Sequence, residues 1–366
     1  FNSHVRDRIN HPEWREAYKT ELRFYRELTG GRDVQSVFFG GGTPSLMEPE
    51  TVQEILQEVD RLWGLPAGAE VTLEANPTSV EAGKLRGFKA AGVNRVSLGV
   101  QSLRDEDLKK LGRQHSAAEA IDAVKTAAGI FDRFSFDLIY ARPHQTLGQW
   151  REELKEALGM GARHMSLYQL TIEEGTQYHT LHQRGDLPVP GEDLAADLYE
   201  ATQETMERHG MPAYEISNHA QPGEESRHNL VYWRYGDYAG IGPGAHGRLT
   251  LEEGKVATRA HRAPEAWLEL INKNKNGSYP FEKINNTQKA NEMLMMGLRT
   301  REGVSLDRFM KETQTPLSHF VKADRLEILL NKGFLEQTES HLRATPQGRQ
   351  RLNAVLSYLF SQQDLS

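Results

Sequence analysis

The sequence predicts an α/β protein built on parallel strands, with a small winged-helix-like domain at its C-terminal end. Three observations predict it. Short β-rich runs alternate with longer amphipathic segments over the first two thirds of the 366 residues. Strand–helix–strand units in series imply parallel pairing with right-handed crossovers, hence a barrel or a doubly wound sheet. From about residue 285 the pattern turns helical and then closes on two short β-rich runs.

Val34 to Phe39 reads as a strand that ends in Gly40-Gly41-Gly42-Thr43-Pro44-Ser45. Pro49 suits a first helical position, and Val52, Ile55, Leu56, Val59, Leu62 and Trp63 then share one helical face. A second strand, Val71 to Ala75, stops at Asn76-Pro77, where proline cannot continue the ladder. A helix over Ser79 to Ala91 and a strand from Asn94 to Val100 follow. Helices over Asp105 to Leu111 and Ala117 to Ala128 precede a strand at Phe134 to Tyr140. A helix from Leu147 to Met160 and a strand from His164 to Leu170 complete the alternation.

Beyond Thr171 the pattern loosens to one helix, Asp193 to His209, and an aromatic, loop-rich stretch from Tyr214 to His246. Helices are expected at Asn291 to Arg299 and, after Pro316, at Leu317 to Asn331. Gly333 to Glu336 and His341 to Ala344 read as a two-stranded wing, followed by a helix after Pro346. The expected division is a body over residues 1–250, a connecting segment over 251–284 and a C-terminal domain over 285–366. The charge of that last domain is mixed in sign, which does not favour DNA binding.

Composition narrows the function classes. The chain is 38% hydrophobic and 26% charged, ordinary for a globular protein. No apolar run reaches the about 20 residues a membrane-spanning helix needs, and no signal peptide opens the chain, so a cytoplasmic location is expected. A formal charge of −7 argues against a broad nucleic-acid footprint. There are no cysteines, which removes disulfides, thiolate nucleophiles and thiolate metal sites. The opening Phe1-Asn2-Ser3-His4 carries no initiator Met and no capping pattern, and reads as a chain entered partway through an element.

Ligand sites of parallel α/β folds lie at the carboxyl ends of the strands. The Gly40–Ser45 segment stands at such an end, where bare backbone can approach a ligand; a tight turn is the plain alternative. Glu74, Gln101 and Asp137 stand at or near the next three ends. Inward carboxylates are costly to bury without a ligand or partner, so together they suggest a polar ligand with hydroxyl and amino groups, while each alone fits a salt bridge. Arg113 would pair with a carboxylate of ligand or protein, or lie on the surface. Tyr214–His219, His228–Trp233 and Tyr238–His246 mix histidine with aromatic residues. That mixture suits a planar porphyrin with imidazole as axial ligand, or a packed core histidine.

Taken in order, these segments resemble the oxygen-independent coproporphyrinogen III oxidase-like radical S-adenosylmethionine proteins, and among them the haem-chaperone (HemW-type) branch. The resemblance rests on FNSH at Phe1, FGGGTPS from Phe39, Glu74-Ala75-Asn76-Pro77, NRVSLGVQS from Asn94 and Leu111-Gly112-Arg113. It continues through FDLIY from Phe136, Ser166-Leu167-Tyr168, YEISN from Tyr214, HNLVYW from His228, GIGPGAH from Gly240 and the region from Met296-Gly297-Leu298-Arg299 onward, so it covers essentially the whole chain.

The resemblance implies a partial (β/α)6-type barrel with the appended C-terminal domain. It implies that Gly41, Gly42 and Thr43 contact the methionine part of S-adenosylmethionine, with Glu74, Gln101, Arg113 and Asp137 around the same ligand. His228, Asn229, Tyr232 and Trp233 match a segment associated with haem, with His228 as the haem-iron ligand. The family's Cys-x-x-x-Cys-x-x-Cys loop, which binds a [4Fe–4S] cluster, would lie just before Phe1, so the cluster is expected only in an intact parent and no radical catalysis is expected from this chain. Two departures, Ala141-Arg142-Pro143-His144 in place of Gly-Leu-Pro-Gly and Ser226 in place of Cys, are both expected near the site.

The implied function is a haem chaperone that passes haem to respiratory haem proteins, membrane-associated ones among them, with homodimerisation left open. An oxygen-independent coproporphyrinogen III dehydrogenase acting by radical oxidative decarboxylation is the alternative. A barrel-fold carrier for another nucleotide is the third reading.

Overall fold

The computed structural model describes residues 10–185 and 187–360, so the FNSH segment lies outside the described residues. These residues form two compact units. One comprises Phe38–Pro49 and Glu70–Ser226; the other comprises 10–37, Glu50–Ala69 and 227–360. The expected boundaries near 250 and 284 both fall inside the second unit.

The first unit is organised on a six-stranded sheet: β1 (Ser36–Phe39), β2 (Glu70–Ala75), β3 (Arg95–Gln101), β4 (Arg133–Tyr140), β5 (His164–Gln169) and β6 (Asn218–Ala220). The spatial order is the chain order, β1-β2-β3-β4-β5-β6. A doubly wound sheet reverses direction at a switch point; this one does not, so the winding is that of a barrel left open. Strands β2 to β5 are parallel, and β6 adds antiparallel to β5. The helices Ser79–Ala90, Asp105–Lys110, Ala117–Ile130 and Leu147–Leu158 fill the crossovers as expected. Ser116 and Thr146 start two of them through reciprocal capping boxes with Glu119 and Gln149.

Side chains alternate across a strand, and here the alternation separates chemistry. Glu70, Thr72 and Glu74 share one face with Arg95, Ser97, Arg133, Ser135, Asp137, His164, Ser166 and Tyr168. Leu73, Val96, Leu98, Phe136, Leu138 and Met165 share the other, where none is more than 2% exposed. Tyr140, on this apolar face, stacks on Trp150 with ring centres 5.2 Å apart, and the Trp150 indole donates to Thr202 at 2.8 Å. The core of the unit is therefore outside the sheet, under the helices, and the inner face is polar.

The second unit begins with the helix His11–Thr29, which the sequence did not announce. It is tied to the helix Pro49–Trp63 by Arg23–Glu58 (2.7 Å) and Arg15–Glu54 (2.9 Å). The residues expected merely to connect instead carry structure: β7 (His246–Leu251) and β8 (Gly254–Arg259) form a hairpin, β9 (Glu282–Lys283) joins it, and a helix spans Pro264–Asn274. Trp267 of that helix, fully buried, stacks on Trp14 at 5.5 Å.

The C-terminal part has the winged-helix order: helix Asn286–Gly297, β10 (Val304–Ser305), helices Leu306–Thr313 and Ala323–Asn331, then β11 (Leu335–Gln337) and β12 (His341–Ala344). The sheet order is β10-β12-β11, so the wing has a third strand that two residues could not signal. The helix expected over Leu317 to Asn331 is broken: Val321 turns extended (φ −118°, ψ 128°) and its side chain is buried. No helix among the described residues is long and apolar enough to cross a membrane.

Candidate ligand sites

At the end of β1 the chain runs through glycines that no other residue replaces freely. An added Cβ at Gly40 would meet the Phe38 ring at 2.1 Å, and Gly41 and Gly42 take φ of 78° and 57°. The Gly41 N–H donates to Glu74 Oε2 at 3.2 Å, so the loop and the end of β2 are one structure. Thr43, half-buried, leads into the turn Pro44–Leu46. Glu81, buried, clamps this region: it accepts from Ser45 Oγ and from Asn76, whose N–H lies 2.7 Å away and Nδ2 3.1 Å. Sequence reasoning missed Glu81, although Thr78-x-x-Glu81 carried the capping pattern.

Gln101 ends β3 in a left-handed conformation (φ 68°), after an irregularity in its pairing with β4. This turns its N–H onto Asp137 Oδ1 (3.2 Å) and its side-chain amide onto Asp137 Oδ2 (3.1 Å). Burial pushes the Asp137 carboxyl up to about 6, and the Glu74 carboxylate adds to the rise; Arg113 and Gln101 oppose it. Burial also raises Glu74. Thus Glu74, Gln101, Asp137 and Arg113 are brought together at the carboxyl end of the strands beside the glycine loop. Two desolvated carboxylates with incomplete compensation favour an ammonium or hydroxyl donor, and Arg113 suits a carboxylate. His115, also missed, pins the Arg113 loop by bonding Val100 O at 3.1 Å.

The two departures from the family pattern separate. Ala141 and His144 both have positive φ, 57° and 63°, which explains why glycine commonly stands at these positions. Between them Arg142, buried, pairs with Glu153 and Asp107 and donates to Ser102 Oγ at 2.7 Å. Ser226, expected near the site, lies elsewhere. It donates to Glu70, the first residue of β2, with Arg133 pairing Glu70 at 2.9 Å on the same side. That is the amino end of the strands, opposite the glycine loop.

The HNLVYW segment forms the short helix Arg227–Trp233, with no buried residue. Its turn sets His228 and Tyr232 on one face, ring centres 4.5 Å apart and edge to face. Tyr232 meets Tyr238 in the same way at 4.4 Å. Trp233 points elsewhere, under the Arg299 guanidinium at 5.0 Å. Asn229 is half-buried on the same helix. The structure therefore groups His228 and Tyr232 with Tyr238 and separates Trp233 from them.

Of the other two histidines in this region, His219 is fully buried in β6 and burial depresses its ring to about 3, whereas His246 opens β7 exposed. The GIGPGAH glycines serve the fold. Gly240 admits the His246 backbone, and the N–H of Gly242 donates to Glu21 at 2.8 Å. Glu21, buried, also accepts from Gly277 N–H (3.0 Å) and the Trp267 indole (3.2 Å).

A radical SAM superfamily pattern matches residues 9–157, and a HemN C-terminal domain pattern matches 284–351. The chain is 39% identical to mouse radical S-adenosyl methionine domain-containing protein 1, mitochondrial, over 99% of its own length and 84% of that protein's. It is 34% identical to the haem chaperone HemW of Escherichia coli, over 99% of its length and 94% of the relative's. Among solved structures, coproporphyrinogen III oxidase (HemN) from Escherichia coli, a radical SAM enzyme, superposes with a TM-score of 0.77 at 17% identity, covering 98% of this chain and 85% of that one. The fold is HemN-like, and identities above 30% across nearly the whole chain place the protein in the radical S-adenosylmethionine family that includes radical SAM domain-containing protein 1 and the HemW haem chaperones.

Proposed function

We propose that this protein is a haem chaperone: it binds haem through the His228 helix, binds S-adenosylmethionine at the carboxyl end of the first unit's strands, and delivers haem to respiratory haem proteins. The observation that carries the reading is the His228–Tyr232–Tyr238 array. An imidazole packed edge-to-face against tyrosine, on a helix whose residues are half-buried or exposed, sets side by side the residue types that suit an axial ligand and flanking rings of a planar macrocycle. The role stated in the name of the HemW relatives supports it. Cytoplasmic action and membrane-bound acceptors belong to the same proposal.

For S-adenosylmethionine, the fit is chemical. The exposed backbone of Gly41 and Gly42, the desolvated Glu74 and Asp137 and the nearby Arg113 match a ligand that carries an amine, ribose hydroxyls and a carboxylate. A [4Fe–4S] cluster does not fit the residues of this chain, since its 366 residues include no cysteine.

An anaerobic haem titration followed at the Soret band, with His228→Ala alongside, tests the reading. Saturation near one haem per chain, weakened at least tenfold in the variant, is expected. No saturable binding to the wild-type chain would overturn the chaperone function, and unchanged binding in the variant would move the iron ligand away from His228.

A further inference from the structure

The sheet that follows the haem-associated helix has one face of unusual composition. In an antiparallel pair, residues directly opposite share a face. Tyr238 bridges Arg248, His246 stands two residues before Arg248 on β7, and His246 is opposite Arg259 on β8. Tyr238, His246, Arg248 and Arg259 therefore project from one side, while Gly247, Leu249 and Thr258 of the other side are buried. Beyond Arg259, Tyr279 continues the surface: its ring lies 4.9 Å from the Arg259 guanidinium and stacks on His261 at 3.7 Å.

Charge on this face is uneven. Arg248 is neutralised by Glu292 at 2.8 Å. Arg259 and Arg262 are exposed and pair with no carboxylate among the described residues, whereas Arg32, Arg234 and Arg248 of the same unit are paired. Burial disfavours protonation of His246, and the nearby Arg248, Arg259 and Arg262 add to that effect. The aromatic end of the face, at Tyr238, is the end that holds Tyr232 and His228. The surface thus runs from an imidazole among aromatic rings to a pair of unneutralised guanidinium groups.

We propose that Arg259 and Arg262 bind the propionate carboxylates of the haem whose ring rests at the His228 end, and so fix its orientation. The proposal rests on the haem reading above and adds to it a polarity: the macrocycle toward the tyrosines, the acid edge toward the β8 end. Guanidinium is the group of choice for planar carboxylates, and a pair of them matches the paired propionates.

The test compares two probes on the full chain, haemin and its dimethyl ester, each titrated at the Soret band in the same detergent buffer. The variants are Arg259→Gln/Arg262→Gln and Arg259→Lys/Arg262→Lys, both checked for unchanged thermal unfolding. The glutamine pair should weaken haemin about tenfold or more, by the worth of two exposed charge-assisted contacts, and leave the ester within about twofold. The lysine pair should recover part of the loss. Equal weakening of both probes, or none for haemin, would overturn the propionate assignment while leaving haem binding itself standing. Absence of haemin binding to the wild-type chain would instead sink both readings.

Discussion

Gln101 and Asp137, at the ends of adjacent parallel strands, are joined by two hydrogen bonds, one from the Gln101 backbone N–H and one from its side-chain amide. The left-handed turn at Gln101 is what makes both possible, and it leaves the carboxylate desolvated beside Glu74. A carboxyl held in this way responds to pH.

The Asp137 carboxyl, pushed up to about 6 in the folded protein, has its ordinary value near 3.9 when unfolded. The folded state therefore holds this proton more tightly than the unfolded chain does. Its contribution to stability is complete below about pH 4 and is lost as pH rises through about 6. Asp137→Asn, which carries no charge, should gain on the wild type by up to about 2–3 kcal/mol between pH 4 and pH 7. Urea unfolding of both proteins across that range checks it; a difference that does not change with pH would place the buried proton elsewhere.

Thr43→Val and Glu74→Gln should each weaken S-adenosylmethionine about tenfold while leaving haem affinity within about twofold, on the usual worth of a hydrogen bond to a charged group. Calorimetry with S-adenosylhomocysteine and a Soret titration supply the two readouts. Loss of both ligands together would point to unfolding or to a shared site.

Arg142 is a test of the crossover after β4. Its guanidinium is buried against Glu153, with Ser102 and Asp107 completing the contacts. Arg142→Leu leaves Glu153 charged and without its counterion, so a loss of about 3–5 kcal/mol is expected in denaturant unfolding. A loss below about 1 kcal/mol would mean that Glu153 becomes neutral at little cost.

Glu21→Ala removes the acceptor shared by Gly242, Gly277 and Trp267. Three buried donors then lose their partner, which should cost about 3 kcal/mol or more and loosen the 240–246 loop. Amide hydrogen exchange at Gly242 and Gly277 should accelerate in step with the fall in melting temperature. Retained protection at both amides would show that other acceptors replace Glu21.

Much of this architecture was legible because it rests on local signals. Gly40–Ser45 and Asn76-Pro77 marked strand ends, and the spacing of Val52, Ile55, Leu56 and Val59 marked a helix whose four residues are indeed buried. Glu74, Gln101 and Asp137 were legible as polar residues at strand ends, and they do converge. What escaped was long-range. Glu21 has meaning only through Gly242 and Gly277, more than 200 residues away. Residues 251–284 lacked strong periodicity because β8 (Gly254–Arg259) opens on Gly-Lys and ends on Thr-Arg around only Val256 and Ala257, and β9 has just two residues. Ser226 was misplaced because sequence order does not say which end of a strand a returning loop reaches. The aromatic helix was read as one set, but the α-helical turn sends Trp233 to Arg299 and leaves His228 and Tyr232 to Tyr238.

The segregation of the first unit's sheet has a consequence for how such a protein changes over time. Because the apolar residues that hold the fold point outward to the helices, the inward residues at the carboxyl ends of the strands, Glu74, Gln101 and Asp137, can be exchanged without emptying the core. The pairing of buried Glu70 with Arg133 at the amino end, by contrast, serves the fold. Drift at the carboxyl end of the inner face alters what is bound, and drift on the outer face or in the paired residues of the amino end alters whether the chain folds. A lineage built on this sheet can therefore part ways in ligand and in task while its members remain superposable, with selection acting on two nearly independent sets of side chains carried by the same strands.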